Sequence, residues 1–139
     1  MASTPAYMAT NFVFTAQLST ANANRDGTGT LVAPTWKSAA TSVVPATDWL
    51  LKRVTIGQTG DLNACGLTFF WWDGSAARYM WEQQIANPSA ASATANGLLS
   101  EIVLPQGDWT FPGGVDLRLG ITAAPTSGVM LVHGFVEAA

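Results

Sequence analysis

The stretch that decides the fold runs from Leu67 to Ile85 and reads LTFFWWDGSAARYMWEQQI. Two aromatic runs flank Asp73-Gly74, a dipeptide that tolerates the positive φ angles of a tight hairpin turn. The sequence therefore predicts two antiparallel strands joined by a three-residue loop at Asp73-Gly74-Ser75.

The two faces of this hairpin differ in a way that predicts a core and a contact surface. Side chains alternate across a strand, so a three-residue loop places one apolar set on the core face: Leu67, Phe69, Trp71, Tyr79, Trp81 and Ile85. The opposite face combines bulky and polar side chains: Phe70, Trp72 and Met80 beside Thr68, Arg78, Glu82 and Gln84. A solvated sheet face does not normally carry two large aromatics and a methionine, so we expect something to cover them. The predicted interface residues are Phe70, Trp72, Arg78, Met80 and Glu82.

The rest of the chain contains short alternating segments and no sustained 3.6-residue apolar period. Further strands are predicted at 11–19, 28–34, 48–57, 98–104, 115–123 and 128–137. Trp36 to Thr47 is predicted to be irregular with one short strand at most, 87–97 to be a loop, and 109–114 to be an aromatic turn. This spacing predicts an all-β, single-domain antiparallel β-sandwich over 11–139, most simply a jelly roll, after an N-terminal arm at 1–10. An immunoglobulin-like sandwich is the alternative, although the disulfide of true immunoglobulin domains cannot form with one cysteine.

Two of these strands carry extra information. Leu50, Val54 and Ile56 are in phase on one face, and Lys52 interrupts that phase, which predicts a strand end or a bulge. The last strand is apolar on both faces, which predicts a central strand or one packed on a neighbour.

Composition limits the possible partners. Charged residues are 11% of the chain, against about 25% in a typical soluble protein. The net charge is −3 and no basic run is present, so no nucleic-acid partner is predicted. The apolar runs are far shorter than the about 20 residues of a membrane-spanning helix, and no export signal or membrane association is predicted. Low charge with 48% hydrophobic residues favours a packed assembly over a free monomer.

No set of residues predicts catalysis or a cofactor. The only histidine, His133, lies in an apolar strand and is interpreted as a core or interface imidazole. The only cysteine, Cys65, is interpreted as a small buried hydrophobe. One His and one Cys cannot supply a zinc site, and the nucleophile-elbow motif is absent. We therefore predict no enzyme activity, no cofactor and no metal.

Asn22-x-Asn24-x-Asp26-Gly27 resembles the start of a calcium loop. The first ligand position holds Asn rather than Asp, and Ala33 stands where a bidentate Glu belongs. A hydrogen-bonded Asx turn is the favoured interpretation.

The chain resembles a family of small virion proteins of tailed bacteriophages. Members carry an N-R-D-G-[ST]-G turn, a strand that ends in an Asp-Gly turn, and an arginine soon after. The matching positions are Asn24-Arg25-Asp26-Gly27-Thr28-Gly29-Thr30, Arg53-Val54, and Leu67 to Glu82 with Asp73-Gly74 and Arg78. The similarity covers most of 20–135 through short turn motifs of moderate specificity, and the chain departs from it at Phe70, at Trp72 and in its hydrophobic final strand.

The resemblance implies a structural role in the virion, which is assembled in the host cytoplasm. The expected role is a capsid decoration (cement) protein that packs on the major capsid protein. The alternative is a receptor- or carbohydrate-binding module of a tail or fibre, with the hairpin aromatics as a sugar platform. The absence of a polar cluster around those aromatics in the sequence favours the first role. Apolar side chains on both faces of two strands predict a homo-oligomer, with a trimer as the expected state.

Overall fold

The residues described by the computed structural model, 10–38, 42–58, 64–85, 100–102 and 109–138, form nine β-strands. They are β1 (Thr10–Leu18), β2 (Thr35–Lys37), β3 (Trp49–Gln58), β4 (Cys65–Trp72), β5 (Ala77–Ile85), β6 (Ser100–Ile102), β7 (Trp109–Phe111), β8 (Asp116–Ile121) and β9 (Met130–Ala138). The predicted arm, apart from Thr10, and the predicted loop at 87–97 lie outside the described residues, as does all of the predicted 98–104 strand except 100–102.

The strands form two antiparallel sheets that pack face to face. The larger sheet has six strands in the order β2-β1-β9-β3-β6, and β7 also pairs with β3. The smaller sheet has the order β5-β4-β8. The predicted all-β antiparallel sandwich is therefore confirmed, and β9 is a central strand between β1 and β3, as its two apolar faces predicted. The jelly roll stays a prediction: that fold has eight strands in two sheets, and beyond β8 the described residues add two isolated bridges, Ala21 with Ile121 and Val32 with Leu119, rather than a further strand.

The core lies between the sheets and is built from alternate residues of each strand. In β1, Phe12, Phe14, Ala16 and Leu18 are buried, while the residues between them are exposed. The larger sheet contributes a row of aromatic rings in contact, Phe14, Trp36, Trp49 and Phe111, with centroid separations of 5.1, 5.1 and 4.0 Å.

Both buried tryptophans in this row donate a hydrogen bond through the indole N–H. Trp36 Nε1 donates to Asp116 Oδ1 at 2.8 Å, and Trp49 Nε1 donates to the Val115 carbonyl at 3.1 Å. Buried tryptophans usually find such a partner. These two bonds tie the larger sheet to β8 and to the residue before it, so they fix how the sheets are placed on each other.

Gly134 in β9 gives the core room for an aromatic ring. It pairs directly with Phe14 of β1, and a Cβ added there would lie 1.9 Å from Phe14 Cε2. Glycine is therefore required at this position of the central strand, because the Phe14 ring occupies the space of a side chain.

Strand β3 confirms the predicted irregularity at Lys52. Its pairing with β9 shifts register between Leu51 and Arg53. Trp49 and Leu51 are buried before the shift, and Val54 and Ile56 are buried after it. Leu50 was predicted to face inward with Val54, which is wrong, because the bulge changes the phase of everything before it.

Two further predictions about strands are wrong. The predicted strand at 28–34 is absent: only Val32 forms a bridge, and a short strand lies at β2 instead. The predicted aromatic turn begins with a strand, β7, which pairs with the first residues of β3. In both places, whether the segment forms a strand depends on whether the edge of a strand distant in sequence lies beside it.

Candidate functional site: contact surfaces of the sandwich

The hairpin turn is present, with four residues rather than the three predicted. β4 ends at Trp72 and β5 begins at Ala77. The Asp73 carboxylate accepts hydrogen bonds from the backbone N–H groups of Ala76 and Ser75, both at 2.9 Å, and Gly74 has φ +99°. These backbone hydrogen bonds, Ala76 first, hold the pKa of Asp73 well below its usual range.

A β-bulge changes the faces of β5. Phe69 pairs with Trp81 whereas Phe70 pairs with Tyr79, so Met80 is an extra residue. Directly opposed residues share a face, so Tyr79 lies on the outer face with Phe70. The prediction that Tyr79 faces the core is wrong for this reason.

The same bulge moves two predicted interface residues. Arg78 pairs with Trp71 on the other face, so the prediction that it shares a face with Phe70 is wrong. Met80 is half-buried at the bulge and packs against the main core, where it was predicted to face outward.

Burial reverses the predicted roles of two aromatic residues. Phe70 is 0% exposed, although it does not belong to the main core cluster. Trp71 is 36% exposed and Tyr79 is 43% exposed. Leu67 and Phe69 are core residues as predicted, but Trp71 shares their face at the end of the strand and is not enclosed by the core.

The path of residues 22–31, which we call the strap, accounts for the burial of Phe70 by inference from its anchors and contacts. Its ends are fixed to β8: Asn22 N donates to the Ile121 carbonyl at 2.7 Å, and Val32 N donates to the Leu119 carbonyl at 2.8 Å. Between these ends the strap crosses the outer face of the smaller sheet and reaches β5. We attribute the covering of Phe70 to this crossing, since β4 lies between β8 and β5.

Three contacts trace the path of the strap. Arg25 Nη2 donates to Glu82 Oε1 at 2.7 Å. A Cβ added at Gly27 would lie 2.1 Å from the Ala77 carbonyl oxygen, so the strap backbone rests directly on β5. Leu31 Cδ2 lies close to Gly120 of β8.

The expected cover over the outer aromatics is thus part of the same chain. The prediction that Phe70 is exposed for an interface is wrong, because its ring is already enclosed. Glu82 is engaged by the strap. An interface role for Trp72, Arg78, Met80 and Glu82 stays a prediction.

The strap owes its shape to its own side chains. Asn22 Nδ2 donates to the carbonyls of Thr28 and Thr30 at 3.0 and 2.9 Å. Asn22 Oδ1 accepts the Asn24 N–H, and Asp26 Oδ1 accepts the Thr28 N–H, both at 3.0 Å. The Asx-turn interpretation of this motif is confirmed.

The outer face also contains a cation–π pair that the sequence did not reveal. The Arg118 guanidinium lies over the ring of Trp72, with its Cζ 4.4 Å from the ring centroid. Arg118 Nη1 also lies 3.3 Å from Asp116 Oδ2. These groups are far apart in sequence and meet because β4 pairs with β8.

A second exposed apolar surface lies in the middle of the larger sheet. Val13 of β1 and Phe135 of β9 are register partners and are 39% and 37% exposed. Arg53 of β3 stacks on the Phe135 ring at 4.6 Å. Beside them is an open cavity of about 270 Å³ whose lining includes Lys52 and Glu137. We call Val13, Phe135 and this cavity the Phe135 patch.

The chemistry-bearing residues have ordinary surroundings. Cys65 is buried as predicted, and burial, together with the charge of Glu82, raises the pKa of its thiol. His133 is half-buried in β9, opposite Thr15 on one side and Thr55 on the other. Within the described ranges, no three His, Cys, Asp or Glu side chains are grouped to hold a metal ion. Nor do those residues include a helix long and apolar enough to cross a membrane.

Within the described residues, these features define a two-sheet β-sandwich with exposed aromatic side chains at two places, the hairpin end (Trp71 and Tyr79) and the Phe135 patch. Comparison with protein-family models, with curated proteins and with solved structures found no match.

Proposed function

We propose that this chain is a non-enzymatic structural protein of a tailed-bacteriophage virion. In this proposal it is a capsid decoration (cement) protein that forms a trimer with copies of itself and packs on the major capsid protein. The observation that carries the proposal is the exposure of aromatic side chains at two separate places of the described structure, the hairpin end and the Phe135 patch.

A decoration protein needs two contact surfaces. It contacts its own copies and also the shell beneath it, and each contact requires an apolar centre. Aromatic side chains commonly dominate protein interfaces. Trp71 and Tyr79 at the hairpin end and Phe135 in the patch are side chains of this kind.

Charged groups surround both centres in the manner of an interface rim. At the hairpin end, Arg78 Nε lies 3.3 Å from Asp73 Oδ2. At the patch, Arg53 lies on the Phe135 ring, while Lys52 and Glu137 line the cavity. Rim charges contribute little affinity but favour one orientation of the partner.

We assign the Phe135 patch to the contact between copies and the hairpin end to the capsid. The patch lies at the centre of a broad sheet, because β9 has neighbours on both sides. The hairpin end carries its exposed aromatics on both faces of one turn, so a surface that receives the turn can enclose both rings.

The experiment compares two double variants with a control. Val13→Ser with Phe135→Ser removes the apolar part of the patch, and Trp71→Ser with Tyr79→Ser does the same at the hairpin end. Val43→Ser changes an exposed valine outside both surfaces and serves as the control. Each protein is examined by sedimentation at micromolar concentration and by binding to capsids that lack it.

We expect the patch variant to sediment as a monomer, and the hairpin variant to remain oligomeric but to bind capsids weakly. Capsids with the hairpin variant bound should rupture at a lower temperature than capsids with the control bound. If both double variants match the control in both assays, neither surface is a contact and the proposal fails.

A binding module of a tail or fibre is the second candidate. The observation in its favour is that the fold brings Arg118 and Asp116 beside Trp72, which supplies polar groups next to an aromatic ring. Against it, the guanidinium already occupies one face of that ring, and a sugar stacks on a free aromatic face. Trp72→Ser should leave particle adsorption to cells unchanged if the chain is a cement protein, and should abolish it if Trp72 holds a sugar.

A further inference from the structure

The strap is joined to the rest of the molecule unevenly. Both ends are held by backbone hydrogen bonds to β8, at Asn22–Ile121 and Val32–Leu119. In contrast, the structure gives the interior of the strap, 23–31, a single hydrogen bond to the sheet within the described residues, from Arg25 to Glu82. Within the described residues, this ion pair is therefore the one polar bond that fastens the far side of the strap, beside the packing of Gly27 on Ala77 and the cover over Phe70.

The strap keeps its own shape independently of the sheet. The hydrogen bonds of Asn22 to Thr28 and Thr30, and that of Asp26 to Thr28, all lie within the segment. A movement of the segment as one body would leave these bonds intact, so the cost of lifting it is limited to the contacts with the sheet.

The closed strap also leaves a polar group unsatisfied. Thr68 of β4 is 1% exposed, and its Oγ1 has no hydrogen-bond partner among the described residues. This hydroxyl lies next to Gly120, as does Leu31 of the strap. A buried hydroxyl without a partner disfavours the state that buries it, because water satisfies the group once it is reached.

We propose that the strap is a hinged cover. Residues 22–31 swing as one body about their two anchors on β8, the Arg25–Glu82 ion pair is the clasp that holds the cover shut, and opening exposes Phe70 and Thr68. This device belongs to the fold itself and stands whether or not the chain decorates a capsid.

Site-resolved limited proteolysis with trypsin tests the proposal in the folded full-length chain. Trypsin cleaves after Arg25, and a protease needs a locally opened segment to cut. Glu82→Gln removes the charge of the clasp while keeping Arg25. We expect cleavage after Arg25 about twofold to fivefold faster, the range for a partly exposed ion pair.

Two further variants separate a hinged cover from general loosening. Thr68→Val replaces the unsatisfied hydroxyl with a methyl group, and we expect cleavage after Arg25 at least about fivefold slower, because the closed state no longer buries an unpaired group. Asp48→Asn makes the matched carboxylate-to-amide change just before β3, in the larger sheet, and should leave the rate unchanged. Equal rates in Glu82→Gln and Asp48→Asn, or no slowing in Thr68→Val, would overturn the proposal.

Thiol labelling supplies a second measurement. In Thr68→Cys the introduced thiol lies under the strap, and Cys65 of the same strand, buried in the main core, serves as an internal reference. We expect a thiol reagent to modify position 68 before position 65, and the addition of Arg25→Gln to accelerate only position 68. Labelling of both positions at one common rate in both proteins would mean that only global unfolding reaches Thr68, which contradicts the hinge.

Discussion

Phe70 lies on the outer face of the smaller sheet and yet is 0% exposed, so Phe70→Ala is the sharpest test of the strap as its cover. A buried aromatic side chain removes about 150–250 Å² of surface from water. At about 25 cal/mol per Å² this amounts to about 4–6 kcal/mol of transfer free energy. Alanine keeps part of that burial, so we expect Phe70→Ala to lower the free energy of unfolding by about 3–5 kcal/mol.

Trp71→Ala is the matched comparison, since it is the neighbouring residue and has an even larger ring. Trp71 is 36% exposed at the end of β4, whereas Phe70 is fully buried and has Tyr79 against its edge at 6.0 Å. We expect a loss of about 1–2 kcal/mol for Trp71→Ala, typical of a partly buried site.

Urea denaturation followed by tryptophan fluorescence measures both values. The midpoints should shift while the slope stays constant, which shows that stability and not the extent of unfolding has changed. If Trp71→Ala proves as costly as Phe70→Ala, or more so, then Trp71 lies in the core and the strap does not enclose Phe70.

Three further predictions follow from other contacts. Gly134→Ala should destabilise the fold by about 1–3 kcal/mol or more in the same denaturation assay, because the added methyl group overlaps the ring of Phe14; a neutral result would contradict the packing of β1 on β9. Trp36→Phe removes the indole donor to Asp116 and should cost about 1.5–3 kcal/mol, the range for a hydrogen bond to a charged group, since Asp116 Oδ1 keeps the Leu117 N–H; an unchanged urea midpoint would show that the bond contributes nothing. The amides of the turn lower the pKa of Asp73, so the contribution of this carboxylate to folding stability is complete above its unfolded pKa of about 3.9 and is lost as the pH falls toward the lower folded value. Asp73→Ala should therefore lose thermal stability less steeply than the parent chain below pH about 4. Equal slopes would contradict a carboxylate held by the amides of the turn.

Several features were predictable because they depend on local backbone geometry. Alternation with period two identified the core residues of β1 and the sandwich as a whole. Asp73-Gly74 located the hairpin because few dipeptides accept its backbone angles. Lys52 marked the bulge of β3, since a polar residue that breaks an apolar phase has to be accommodated by a change of register.

Other features could not be read from local pattern. The outward position of Tyr79 depends on the extra residue Met80, and a bulge arises from how two strands fit together rather than from the composition of one. The strand expected at 28–34 is folded into the strap because β8 offers an edge that only the tertiary structure supplies.

The sequence alone was enough to predict the all-β architecture, the two-sheet sandwich and the hairpin. The tertiary structure alone decided which aromatics are hidden and which are exposed. The reason is the range of the interactions: alternation is fixed within a few residues by the pleat of the backbone, whereas the Arg25–Glu82 clasp joins groups 57 residues apart. Whether Phe70 faces water thus depends on a segment that neither its neighbours nor its own strand can specify.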